Sequence, residues 1–159
     1  MPQKITPFLW FDGKAEEAMN FYTSVFKNAK ILEVSRYGEG GPAPKGTVMV
    51  ASIELFGQKF NLLNGGPQFK FTPAVSFYVS CETQDEIDYY WEKLSGGGGQ
   101  TSQCGWLSDK FGLSWQIVPP ILGELMMDKD AERSGRVMQA MMQMTKIDIA
   151  KLKQAFEGK

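Results

Sequence analysis

The sequence of 159 residues contains no histidine. Histidine is the commonest metal ligand and the usual general base near neutral pH, so its absence removes whole classes of chemistry. Neither a Ser-His-Asp nor a Cys-His nucleophile system can be built, nor a zinc site with an imidazole ligand. Cysteine is scarce too: Cys81 and Cys104 are too few for a disulfide scaffold. Neither sign of charge dominates, with 17 Lys and Arg against 18 Asp and Glu. The balance gives no general electrostatic reason to bind nucleic acid or an anionic membrane, and neither partner is expected. The chain opens on a predicted strand rather than on a charged leader and apolar signal core, so the expected location is the cytoplasm. Any chemistry is left to carboxylates, amides, hydroxyls, thiols, lysines or a bound group.

Apolar residues make up 43% and charged residues 22%, ordinary globular usage. The length suits one domain or two small half-domains sharing a core. Ile5 to Phe11 is an apolar run ending at Asp12-Gly13, which predicts a strand and then a helix start. Ala15, Ala18, Met19, Tyr22, Val25 and Phe26 recur at helical spacing, with Glu16 and Glu17 placed favourably in the first turn. Strands are predicted over Ile31 to Tyr37, Thr47 to Phe56 and Lys59 to Leu63, with Gly57-Gln58 as the last turn.

A second unit repeats this order. Ala74 to Val79 predicts a strand, and Thr83 with Glu86 fits a capping box opening a helix striped by Ile87, Tyr90, Trp91 and Leu94. Strands are expected near Gln100 to Cys104, over Trp106 to Ser108, and over Leu113 to Val118, stopped by Pro119-Pro120. Two stretches align internally: Ile5-Thr6-Pro7 with Phe71-Thr72-Pro73, and Phe56 to Leu63 with Phe111 to Val118, which makes Asn61 and Gln116 counterparts. Beyond Pro120 helices are expected from about Ser134, with Met138, Met141 and Met142 on one face, and from about Asp148, with Ile149, Leu152 and Phe156 on another.

The repeat, together with Ile5 to Phe11, Ala15 to Ala18, Phe21-Tyr22, Trp115 to Pro119 and Arg136 to Met142, resembles the vicinal oxygen chelate superfamily of glyoxalases, bleomycin-resistance proteins and dioxygenases. It is most similar to the PhnB-like branch, the 3-demethylubiquinone-9 3-methyltransferase-like proteins. The resemblance implies an α+β fold of paired βαβββ modules, residues 4–66 and 71–120, forming a cupped mixed sheet with C-terminal helices over 121–159. It also implies a homodimer.

In metal-dependent relatives each module supplies one ligand from its first strand and a glutamate from its last. Here the last-strand positions fall on Asn61 and Gln116, and the first-strand positions on or beside Thr6 and Ala74. None is a good divalent-metal ligand without carboxylate or imidazole help, so no metal and no cofactor are expected. The expected function is metal-independent binding of a small, partly aromatic molecule in the cup between modules. By strand alternation the ligand-binding residues are Thr6, Phe8, Trp10, Asn61, Leu63, Ala74, Ser76, Tyr78 and Gln116. No catalytic residue is assigned. The alternative is a methyltransferase-like or other metal-independent enzyme, although Gly96 to Gly99 follows a helix, where a dinucleotide or phosphate loop would follow a strand. Glu16-Glu17 and Asp85-Glu86 read as helix-start carboxylates. Lys59 alternates with Asn61 on one face, and Cys104 stands near the rim of the cup.

Overall fold

The computed structural model describes residues 2–159. The chain divides into two compact units, the first ending at Phe71 and the second starting at Thr72. Each carries a sheet of four strands with one helix of its own, and the second also carries three C-terminal helices.

The first unit runs β1 (Phe8–Phe11), α1 (Ala15–Val25), β2 (Lys30–Arg36), β3 (Val48–Leu55) and β4 (Gln58–Asn64), in sheet order β1-β4-β3-β2. β1 pairs parallel to β4, and the remaining pairs are antiparallel. Alternation along β1 buries Leu9 and Phe11 on the face that packs on α1 and turns Phe8 and Trp10 to the other, open face. Ala15, Ala18, Met19, Tyr22 and Val25 form the buried stripe of α1, and each large side chain so buried contributes about 1.5–3 kcal/mol. Lys14 offers α1 no side-chain cap, so Asn64 at the end of β4 supplies one, its Oδ1 accepting from the Ala15 amide at 2.9 Å. The β3–β4 hairpin turns at Phe56-Gly57, one residue earlier than expected, because Leu55 faces Gln58 and both turn residues have positive φ, 49° and 77°.

The second unit runs β5 (Ser76–Ser80), α2 (Gln84–Ser95), β6 (Gln100–Thr101), β7 (Trp106–Ser108) and β8 (Ser114–Val118), in order β5-β8-β7-β6, with β5 parallel to β8. α2 opens as expected, Thr83 accepting from the Glu86 amide, while the Glu86 carboxylate reaches the Glu82 amide. Ile87, Tyr90 and Leu94 are buried on α2, and Leu107, Trp115 and Ile117 on the sheet face packed against it. Buried Asp109 shapes the β7–β8 turn: its Oδ1 accepts from the Phe111 and Leu113 amides and its Oδ2 from the Trp115 indole at 2.9 Å.

The expected α+β fold of paired βαβββ modules with C-terminal helices is present, each module forming a four-stranded mixed sheet, and the pairing registers correct one internal alignment. Phe8 faces Asn61 and Tyr78 faces Gln116, so Phe8 and Tyr78 are counterparts, and Thr6 is not the counterpart of Thr72. The shared Thr-Pro dipeptide misleads because the second unit inserts a turn at Pro73-Ala74 before its first strand.

Beyond β8 come α3 (Pro120–Met126), α4 (Ala131–Met142) and α5 (Ile149–Glu157). α4 starts earlier than Ser134 because Asp130 caps it, accepting from the Glu132 and Arg133 amides. Val118, Leu122, Val137, Met144, Ile147 and Leu152 form their core. Of the methionines on α4, Met141 packs on that core while Met138 and Met142 are exposed. Gln84 ties α2 to this layer, its amide donating to Ile147 O and accepting from the Ile149 amide, and the backbone of Cys104 and Gly105 donates to Met144 and Thr145 carbonyls. Among the described residues no helix is long and apolar enough to cross a membrane.

Candidate functional site

Each sheet has one face covered by its helix and one open face, and of the residues expected to bind a ligand all but Thr6 and Ala74, which lie outside the strands, distribute over the two open faces. On the first, Phe8, Asn61 and Ser52 form a row across three strands, and Trp10, Leu63 and Val50 the next. Phe8 is 58% exposed. Asn61 is engaged: Ser52 Oγ donates to its Oδ1 at 2.6 Å. Trp10 is engaged more completely, its indole N–H donating to Gly66 O at 2.8 Å and its ring meeting Phe69 edge-on at 4.9 Å. Gly65 lies so close that a Cβ there would stand 2.4 Å from the indole, so Trp10 is fixed beneath the loop that follows β4. Thr6 precedes β1 and is half-buried.

On the second open face Tyr78, Gln116 and Trp106 share a row, and Ser76, Ser114, Ser108 and Gln100 share the next, one residue from each strand of the sheet. Gln116 Nε2 donates to Ser76 Oγ on β5 at 2.9 Å, whereas its counterpart Asn61 accepts from Ser52 on β3. Tyr78 is 55% exposed, and its hydroxyl is held above the usual tyrosine range, by partial desolvation first and by the Cys81 thiol second. Ala74 is exposed in the turn before β5 and takes no part in the strand's alternation. Lys59 is exposed at the start of β4, opposite Glu54.

A groove of about 520 Å³ opens on this second face, lined by Pro73, the segment from Gln100 to Cys104, and Trp106, Leu107, Ser108 and Ser114. No charged side chain lines it. Among the described residues, none of the side chains of Gln100, Thr101, Ser102, Gln103, Ser108 and Ser114 has a hydrogen-bond partner within the chain. Elsewhere the buried amides and carboxyls are committed, as at Asn64, Gln84 and Asp109. Ser114 is only 3% exposed. Cys104 borders the groove with φ at 58°, in the turn where the Trp106 amide donates to Gln103 O.

Sequence reasoning reached Ser76, Tyr78 and Gln116 and missed Trp106, Ser108, Ser114 and Gln100. Period-two alternation from Gln116 points to Ser114. Ser108 and Gln100 join it only through strand pairing, which the sequence does not display.

Chemically the open faces offer amides and hydroxyls. Among the described residues no cluster of three or more His, Cys, Asp or Glu could hold a metal ion, and the last-strand positions, Asn61 and Gln116, are amides already bonded to serines. The residues present do not fit a divalent metal of the kind the superfamily resemblance implies.

Comparison with known proteins places this geometry. Residues 3–118 match the family model described as 3-demethylubiquinone-9 3-methyltransferase. No curated protein sequence matches the chain. Among solved structures, the putative 3-demethylubiquinone-9 3-methyltransferase PhnB protein from Bacillus cereus is 47% identical over 74% of this chain and 99% of its own, with a TM-score of 0.69. The protein PA1353 from Pseudomonas aeruginosa is 18% identical over 74% and 98%, with a TM-score of 0.61. The fosfomycin resistance protein FosX from Listeria monocytogenes is 15% identical over 78% and 96%, with a TM-score of 0.55. At their identities the last two show the fold alone. The family model ends at Val118, the last residue of β8, so α3 to α5 lie outside it. By the match over both sheets and the identity to the Bacillus cereus protein, the chain belongs to the 3-demethylubiquinone-9 3-methyltransferase-like, PhnB-like family of the vicinal oxygen chelate fold.

Proposed function

We propose that the chain is a metal-independent small-molecule binding protein, active as a cytoplasmic homodimer, with its ligand held against the open face of the second sheet. The observation that carries this reading is the groove beside Trp106, whose six polar lining side chains have no hydrogen-bond partner among the described residues. A volume of about 520 Å³ lies within the range of small-molecule sites. Gln116 and Ser76, already bonded to each other, give the neighbouring rows a fixed frame.

Cys104 on the rim reports occupancy, because a bound molecule shields its thiol from an alkylating reagent. Cys81 is fully buried, its thiol pushed up to about 12, and serves as a silent internal control. A low-molecular-mass metabolite extract is expected to slow alkylation of Cys104, equally with and without a chelator. Protection that vanishes with the chelator overturns metal independence, and no protection at all overturns the binding site.

The family description and the printed name of the Bacillus cereus protein favour a second reading, transfer of a methyl group. Titration with S-adenosylmethionine distinguishes it: saturable binding with turnover of a demethylated quinol supports transfer, and no binding excludes that donor.

A further inference from the structure

The chemistry of the groove narrows the class of ligand, an inference that rests on the binding reading above. Ser114 carries the argument. Its side chain lies on β8, 3% exposed, and its hydroxyl lines the groove without a partner among the described residues. Among the described residues no buried side-chain oxygen lacks a partner, so the unpartnered Ser114 hydroxyl keeps its access to the groove and can donate to or accept from what enters there. Ser108 stands opposite Ser114 on the paired strand, and Gln100 opposite Ser108, so the row continues across the sheet with side chains that both donate and accept.

Three features of the lining then select. No lysine or arginine is present to neutralise an anion, and no carboxylate to neutralise a cation, so the ligand is neutral. Hydrogen-bonding side chains outnumber aromatic ones, Trp106 being the single ring, so a purely apolar guest would desolvate several polar groups without repaying them. Trp106, half-buried one row away, offers an apolar plane on which the C–H face of a ring can lie. We propose that the groove takes a neutral, hydroxyl-rich molecule of the sugar or polyol class, oriented by Ser114 and Ser108 and stacked on Trp106.

The test uses the full chain and three defined probes, maltose, catechol and inorganic phosphate, with Cys104 alkylation and calorimetric titration as readouts. Maltose is expected to protect Cys104, and Ser114→Ala to weaken its binding about tenfold, the loss of one well-placed hydrogen bond. Because Ser114 Oγ has no partner among the described residues, the ligand-free variant is expected to melt with the parent, which separates a binding role from a structural one. Ser108→Ala supplies an independent second variant with the same expectation. Protection by catechol or phosphate without maltose overturns the ligand class and leaves the groove a binding site. Protection by the metabolite extract with none of the three probes does the same. Unchanged maltose affinity in both serine variants overturns the assigned orientation, and failure of every probe and of the extract removes the site itself.

Discussion

Asp109 is where one atom's chemistry should be most visible in the stability of the second unit. It is 2% exposed, and its two carboxyl oxygens divide their work: Oδ1 accepts from the Phe111 and Leu113 amides, at 2.9 and 3.1 Å, and Oδ2 accepts from Trp115 Nε1 at 2.9 Å. Asp109→Asn keeps an oxygen for the two amides but sets an amide N–H₂ against the indole N–H, donor against donor. Leaving a buried donor unsatisfied costs about 1–3 kcal/mol. Taking about 2 kcal/mol, a chain of this size should melt about 4–8 °C lower. Asp109→Ala removes the acceptors of the turn as well and should cost more than the Asn variant. Thermal unfolding followed by near-ultraviolet circular dichroism reads both effects, since Trp115 loses its fixed polar partner. If the Asn variant melts with the parent, or the Ala and Asn variants melt together, the division of labour between the two oxygens is wrong.

Other consequences follow from single contacts. Gly65→Ala places a methyl group 2.4 Å from the Trp10 ring, and the displaced indole should cost about 1–3 kcal/mol, read by urea unfolding with tryptophan fluorescence. Burial, and secondarily the charge of Glu86, push the Cys81 thiol up to about 12 from its ordinary 9.0. The unfolded chain therefore releases this proton first: the contribution is complete below pH 9, is lost as pH rises from 9 toward about 12, and Cys81→Ala should flatten that alkaline decline in the urea midpoint. The Asp88 carboxyl is held below its ordinary 3.8, chiefly by its hydrogen bond to Lys146 and next by that to Gln84. That tie between α2 and the helical layer is present above pH 3.8 and loosens as pH falls through the lowered value, and Lys146→Ala should move the Asp88 titration upward in an NMR pH series.

How much of this could be read in the sequence differs by element. α1 was legible because five buried residues fall on one stripe and no competing signal lies nearby. α2 was legible from Thr83 and Glu86, a capping pattern whose geometry is wholly local. The start of α4 was misplaced because its cap, Asp130, lies in a polar stretch with no apolar residue to mark it. Ala74 was assigned to a strand on its apolar character, yet the chain turns there, and only the register of Tyr78 against Gln116 shows where β5 begins.

Trp10 shows the limit most clearly. Alternation places it on the open face, where an aromatic invites a ligand, but Gly66 O and Phe69, more than fifty residues along, occupy its edge and its flank. Whether a polar or aromatic side chain is free depends on what arrives from distant parts of the chain, and no local pattern encodes that. Ser114 is the converse, an unremarkable serine in the sequence that becomes notable only when the fold sets its side chain, without a partner among the described residues, in the lining of the groove.

The sequence by itself determined the two βαβββ units, the pairing of Asn61 with Gln116 as counterparts, and the exclusion of imidazole chemistry. Those rest on composition, on period and on a repeat, all of which are carried by neighbouring residues. Tertiary structure alone decided which side chains are already spent and which remain available, because hydrogen-bond commitment is settled between strands, by register, and not along them.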